Sequence, residues 1–457
     1  MKTLNKFAIP LLALVLTASS CAKKLDMEPV DNISSDVALE NANDVNNALV
    51  GAYTIIAKGS LYGTNLVMVP DLFASPNYVL WTGSFDTYRQ FYNQTLLAQN
   101  EDVTRTWTDA YQAINIANTV LESLDVVTDE EQKAEIEGKA HFIRGIMYFE
   151  LVRLYGLPYE AGAANSHLGV PISLTAVKAF EDIIGDVKRS TVEEGYTQAE
   201  DDLTQAISLL ADFPSDLNAA KGMLARLYLQ QSKYDKARDL ANEIITSGDY
   251  SLIDNLESPF RIKNSNEGVF EIEQNEQSNA GSANDGLSTF YSNYLNNSGG
   301  EIGRGDLSIE PVYINSFEAG DKRVSALMYA GINSGTYSKK WYNYFDNIPV
   351  VRLTELYLTR AECNFRLGTS VGDSPLDDIN TLRRRAGVSV FNSLTINQIL
   401  TERDRELSFE GYRLHDLKRT KRNVGTLPYN ANKLVLPIPA RERAVNPQLD
   451  QNPGYAN

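Results

Sequence analysis

Cysteine and histidine are nearly absent from this 457-residue chain, which holds two of the first and three of the second. Two cysteines, Cys21 and Cys363, build neither a disulfide framework nor a cysteine-based zinc site. Three histidines, His141, His167 and His415, leave little for a histidine metal centre or a histidine-dependent triad. Basic residues also fall short. There are 42 Lys and Arg against 59 Asp and Glu, a net charge of −17. A field of that sign repels phosphate backbones, so nucleic acid is not an expected partner. Phosphate loops, dinucleotide fingerprints and the H-E-x-x-H pattern do not occur, and neither does a calcium loop. No metal and no cofactor is therefore expected. Tryptophan is scarce at 3, yet tyrosine at 24 outnumbers phenylalanine at 16. That bias favours half-wet binding surfaces over pure core.

What remains is ordinary for a folded protein: 43% hydrophobic and 22% charged residues. The length allows one large domain or about three average ones. Residues 1–20 read as a secretory signal. Lys2 and Lys6 precede an apolar run from Phe7 to Leu16, then come Ala18-Ser19-Ser20. The run is too short to span a bilayer. Cys21 directly after the small residues resembles a bacterial lipobox, in which the cysteine carries lipid. Acylation would anchor the chain without a transmembrane helix. A polar tether, Lys23 to Pro29, follows.

Helical periodicity opens at Ser35-Asp36 and continues over Val103–Leu124, Glu130–Tyr155, Tyr196–Leu210 and Ala219–Ile245. Within the last of these, Leu224, Ala225, Tyr228 and Ala237 sit at the offsets of a tetratricopeptide helix pair, and Gly145 and Tyr148 repeat the spacing. From Phe260 to Asn347 the period is lost in a stretch rich in Asn, Ser and Gly, which marks a functional insertion. Helices resume over Pro349–Leu367, Asp377–Arg385 and Ile396–Phe409. The expected fold is mainly α, with tetratricopeptide-like repeats and long irregular loops. It divides into an N-terminal helical part (21–255) and a C-terminal part with the loop insertion and final helices (256–457).

Several motifs then point one way. Ala140-His141-Phe142-Ile143-Arg144-Gly145, continuing through Tyr148 to Gly156, resembles the signature helix of the SusD/RagB family of outer-membrane nutrient-binding lipoproteins. Pro349–Glu362, Asn380–Gly387, Glu402–Gly411 and the closing Leu436-Pro437-Ile438-Pro439 … Asn452-Pro453-Gly454-Tyr455 are similar to its later motifs, in the right order. The resemblance implies a SusD-like α-α superhelix with four tetratricopeptide-like units. It also implies a surface-exposed lipoprotein that captures oligosaccharide and delivers it to a SusC-like TonB-dependent transporter. Some relatives take peptides. Arg144, Arg352, Glu355, Glu402 and Glu410 belong to these motifs and read as framework ion pairs.

A sugar offers flat C–H faces and a rim of hydroxyls, so its site needs an aromatic platform with amide or charged partners. Two stretches outside strong helical pattern have that composition. In the first, Trp81 either stacks on a sugar or plugs the core between helices. Tyr78, Phe85 and Tyr88 extend the platform, with Asn77, Asp86 and Arg89 as polar partners. The second holds Tyr291 and Tyr294 beside amides, and Trp341, which either joins the platform or packs on the following helix. Trp107 faces core by its spacing. Gly368-Thr369-Ser370-Val371-Gly372 matches a nucleophile elbow in letters only, because a helix precedes it where that chemistry needs a strand. The expectation is a binding protein without catalysis, the alternatives being a peptide-binding member of the same family or a lipid-anchored glycoside hydrolase using two carboxylates.

Overall fold

Residues 39–178 and 187–455 are described by the computed structural model. The leader, Cys21, the tether and the helix start expected at Ser35 lie outside the described residues. Helix α1 (Ala42–Ile56) starts where the Asn41 side chain accepts the backbone N–H groups of Asn43 and Asp44. Helices α2 (Asn65–Phe73) and α3 (Asp86–Asn93) follow. Asn100 caps α4 (Glu101–Glu122), and Asp129 caps α5 (Glu130–Tyr155), which stops at Gly156. A Thr191–Glu194 capping box opens α6 (Val192–Leu209). These side chains satisfy N–H groups that a helix start would otherwise leave unpaired. Helices α7 (Pro214–Gln230) and α8 (Tyr234–Thr246) turn on Ser232, whose φ is +60°.

Successive helices lean on one another: α5 on α6, α7 on α8, and α8 on α9 (Leu353–Leu367). Two glycines set the α5–α6 approach. A Cβ on Gly145 would lie 3.0 Å from Asp202, and one on Gly138 would lie 2.6 Å from Leu210. Ala225, Tyr228 and Ala237 are buried between α7 and α8, as a tetratricopeptide pair requires. Helices α10 (Pro375–Ala386), α11 (Ile396–Glu406) and α12 (Arg413–Arg419) follow in the chain's second half. Trp107 is buried against Tyr111 and Tyr155. The fold is mainly α. One apolar cluster holds residues from Val45 to Leu449, drawn from both sides of position 255.

Among the described residues, sheet is confined to four antiparallel two-stranded ladders. They are β1 (Val79–Trp81) with β5 (Leu307–Ile309), β2 (Gly268–Ile272) with β8 (Ile348–Arg352), β3 (Tyr294–Leu295) with β4 (Glu301–Ile302), and β6 (Met328–Ala330) with β7 (Thr336–Ser338). Strand β8 corrects the expectation of a helix from Pro349. The helix starts at Leu353, and the five residues before it are a fully buried strand. Val350 and Val351 suit a pleated surface, and Pro349 cannot donate inside a helix.

The family-like motifs supply a buried ionic frame. Arg144 grips Asp202 at 2.7 Å and Asn118 at 2.8 Å. Arg352 binds Glu410 at 2.8 Å, Glu355 binds Arg226 at 2.7 Å, and Glu402 joins Arg323 at 2.6 Å to Arg383 at 2.8 Å. Burial alone would raise the Glu406 carboxyl, but Arg385, Arg323, Arg352 and Lys340 hold it at about 2. Each charge is matched. Removing one partner of such a pair strands the other and costs about 3–5 kcal/mol.

Candidate functional site

The irregular stretch between β2 and β8 builds a half-exposed aromatic face from two hairpins and the segment after Trp341. In the β3–β4 hairpin, the Asn296 side chain accepts the backbone N–H groups of Ser298 and Gly300, and Gly299 takes φ +82° to close the turn. Asn293 ties this hairpin to the next one. Its side chain accepts the Asn333 N–H at 2.8 Å, and its own N–H donates to the Tyr329 hydroxyl at 2.8 Å. The Ser292 hydroxyl donates to the Trp341 carbonyl at 2.6 Å and so brings Tyr342 alongside.

The outcome is a pair of parallel rings. Tyr294 and Tyr342 stack with centroids 3.7 Å apart and planes 7° from parallel. Tyr329 stands edge-on to both, at 6.3 Å and 5.3 Å. The Arg261 guanidinium lies 5.5 Å over the Tyr342 ring. Tyr342 is thus covered, while one face of Tyr294 carries no aromatic or cationic neighbour among the described residues. The Tyr294 hydroxyl donates to Asn343 Oδ1 at 3.0 Å, Asn343 donates to Asp346 at 2.9 Å, and Arg261 pairs with Asp346 at 2.5 Å. Burial, with the neighbouring Tyr342 and Tyr329 hydroxyls, raises the Tyr294 phenol well above its ordinary range, so it stays a neutral donor. Leu295 at 52% exposure flanks the stack.

A second patch borders the first. Phe85 is 36% exposed, edge-on to Tyr88 and Phe290, with Arg304 at 4.8 Å over its ring. Arg304 also reaches Asp306 at 2.7 Å and the Ser84 hydroxyl at 3.0 Å. The segment 303–306 links the patches, since the Gly305 carbonyl accepts from Tyr337 at 3.3 Å and its N–H donates to the Ser292 carbonyl at 2.8 Å. Arg89 donates to the Gly83 carbonyl at 2.7 Å, while Asn77 and Asp86 are exposed at either end of the β1 region.

The other aromatics expected at a ligand are inside the protein. Trp81 is 5% exposed, with Tyr88 at 5.4 Å and Phe290 at 6.0 Å. Tyr78 is stacked on Phe409, edge-on to Tyr313 and capped by Arg413. The Tyr88 hydroxyl bridges Asn65 and Arg105, and the Tyr291 hydroxyl donates to Asp71 at 2.7 Å. Trp341 donates its indole N–H to the Phe409 carbonyl at 2.6 Å. A ring enclosed by protein has no face left for a sugar, so Trp81, Tyr78, Tyr88, Tyr291 and Trp341 are corrected from platform to scaffold. Phe85, Asn77, Arg89 and Tyr294 keep solvent contact. Tyr342 lies in the second aromatic stretch but was not singled out from it, and Tyr329 and Arg261 were missed. Two signals pointed to them. Trp341 and Tyr342 are adjacent, so an extended chain sends them to opposite sides. Asn333-Ser334-Gly335 between two Tyr-bearing runs reads as a hairpin turn.

The larger depressions lie elsewhere and carry less chemistry. A cleft of about 370 Å³ between the end of α1 and residues 273–285 is polar, and four of its charges form pairs, Lys58 with Asp109 at 2.9 Å and Arg105 with Asp285 at 2.5 Å. A groove of about 480 Å³ is lined by Leu96, Leu97 and Ala440 among others. No helix among the described residues is long and apolar enough to cross a membrane.

Comparison with known proteins gives a consistent result. Residues 24–229 match a family described as "Starch-binding associating with outer membrane", and residues 327–434 match the SusD family. The chain is similar to the SusD-like protein P2 of Formosa agariphila, 26% identical over 99% of this chain and 100% of that one. A SusD superfamily protein of Bacteroides thetaiotaomicron shares the fold, with a TM-score of 0.79 at 24% identity over 90% of this chain and all of that one. The surface glycan-binding protein A of the same organism, solved with laminarihexaose, has a TM-score of 0.74 at 19% identity, covering 90% of this chain and 99% of that one.

Proposed function

The chain belongs to the SusD/RagB family, and on that premise we propose that it is a lipid-anchored, cell-surface glycan-binding protein that captures oligosaccharide without cleaving it and passes it to a SusC-like TonB-dependent transporter. The observation that carries the glycan reading is the half-exposed Tyr294–Tyr342 stack with Asn343 at its rim. A pyranose C–H face lies on a tyrosine ring, and its hydroxyls meet the amide and phenol groups around it. The ring is held from behind by Tyr342 and from the side by Tyr329, so little conformational freedom is lost on binding. Phe85 offers a second ring for a longer chain. A relative solved with laminarihexaose and a matched family described as starch-binding support a glycan as the ligand.

Binding without cleavage fits the local chemistry. Of the carboxylates beside the stack, Asp346 is engaged by Arg261 and Asn343 and Glu257 by Lys339, whereas a glycoside hydrolase needs two carboxyl groups facing the scissile bond. Anchoring rests on Cys21 after its signal, and the transporter partner rests on the family. The test is calorimetry of the purified full chain against maltohexaose, laminarihexaose and peptides of similar length, with chromatography of the recovered ligand. Saccharide binding with the ligand returned intact is the expected result. Peptide binding alone, or shortened saccharide, would refute the reading.

A further inference from the structure

Resting on the glycan reading above, we propose that the aromatic face selects uncharged glycans and rejects those bearing uronate or sulfate groups. The argument comes from where the cations around it are committed. Arg261, the guanidinium against the Tyr294–Tyr342 stack, gives one amino group to Asp346 at 2.5 Å and to the Phe260 carbonyl. Its other amino group is buried and meets no acceptor, so it is not presented to a ligand. Arg304, the guanidinium over Phe85, is held by Asp306 at 2.7 Å and by Ser84. Arg89 donates to the Gly83 carbonyl, with Asp86 at 4.0 Å, and Lys263, which acts on Asp346, donates to the Gln274 carbonyl.

Further carboxylates lie beside these pairs, Glu257 being itself paired with Lys339 at 3.3 Å. Asp346 and Glu257 both act on the stacked tyrosines, and Glu301 is exposed on β4 opposite Leu295. The whole chain adds a net charge of −17. A uronate or sulfate brought to this face would shed water and meet cations already bonded within the protein, in a field that opposes it. The hydroxyls of a neutral sugar lose nothing comparable. They exchange water for Asn343, the tyrosine hydroxyls and backbone groups.

The experiment compares ligands of one length on the purified full chain. Maltohexaose and laminarihexaose form the neutral arm. Hexagalacturonate and a sulfated hexasaccharide form the anionic arm. Each is measured by calorimetry at low and at physiological salt. The neutral arm should bind at least about tenfold tighter, and the gap should narrow as salt rises because the opposing charges are screened. Asp346→Asn should release the Arg261 charge and tighten hexagalacturonate by roughly fivefold, in a salt-sensitive way. Its melting profile reports whether it folds, and the wild-type comparison stands without it. Anionic ligands binding as tightly as neutral ones would overturn the selectivity while leaving glycan capture intact. Failure of both arms would overturn the capture reading and the selectivity with it.

Discussion

Asp71 makes the sharpest prediction about why Tyr291 is where it is. The carboxyl is buried on α2, with one oxygen accepting the Tyr291 hydroxyl at 2.7 Å and the other without a partner. Burial raises its pKa to about 7 against the pull of Tyr291, Arg413 and Lys340. The two cations help little because they are spent, Arg413 on Asp404 at 2.5 Å and Lys340 on Glu410 at 2.6 Å. The sign follows directly. Between its ordinary 3.8 and about 7, the unfolded chain ionises Asp71 while the folded chain keeps the proton, so stability falls as pH rises through that window. At 1.36 kcal/mol per unit the loss is roughly 4 kcal/mol, complete once both states are ionised. Asp71→Asn removes the titration. Urea unfolding of both proteins from pH 4 to pH 8 should show the variant gaining on the wild type by roughly that amount. Other groups contribute equally to both curves and cancel. Parallel curves across the window would refute the reasoning.

Three further outcomes are expected. Lys418 is buried, donates to the carbonyls of Leu434 and Arg153 with no carboxylate partner among the described residues, and is lowered to about 7 by burial and by Arg153. Lys418→Met should therefore gain on the wild type by roughly 5 kcal/mol below pH 7, with the difference closing as pH climbs toward 10.5, checked by denaturant titration. Asp202→Ala strands the Arg144 guanidinium between α5 and α6 and should cost about 3–5 kcal/mol in the same assay. Trp81→Ala should lose a similar 3–5 kcal/mol as a core truncation, whereas Trp81→Phe, which removes an indole N–H with no partner, should keep both stability and ligand affinity.

Much of the helical frame was legible because its signals are local. Asp129, Gly156 and the apolar period between them bound α5 without reference to the rest of the chain. The framework roles of Arg144, Arg352, Glu355, Glu402 and Glu410 were legible too, since long charged side chains inside apolar helices need partners. Strand β8 was not, because its partner β2 lies some 80 residues earlier and a short buried apolar run reads alike as strand or helix. The candidate site was legible in composition and only partly in detail. The stretches around Trp81 and Tyr294 do carry the exposed rings, but which ring turns inward depends on distant neighbours. Tyr78 is fixed by Phe409 and Tyr313, Tyr291 by Asp71, and Trp341 by the Phe409 carbonyl. Tyr329 escaped notice because it reaches the platform only through a hairpin pinned by Asn293.

The most direct test of the central claim is the affinity of Tyr294→Ala for the best-binding neutral hexasaccharide, measured by calorimetry beside the wild type and Tyr294→Phe. A stacking platform should lose about 1–3 kcal/mol with alanine, roughly 5- to 150-fold in Kd, by analogy with base stacking on aromatic side chains, and should lose far less with phenylalanine, which keeps the ring. An alanine variant that is folded and binds as tightly as the wild type would contradict the account.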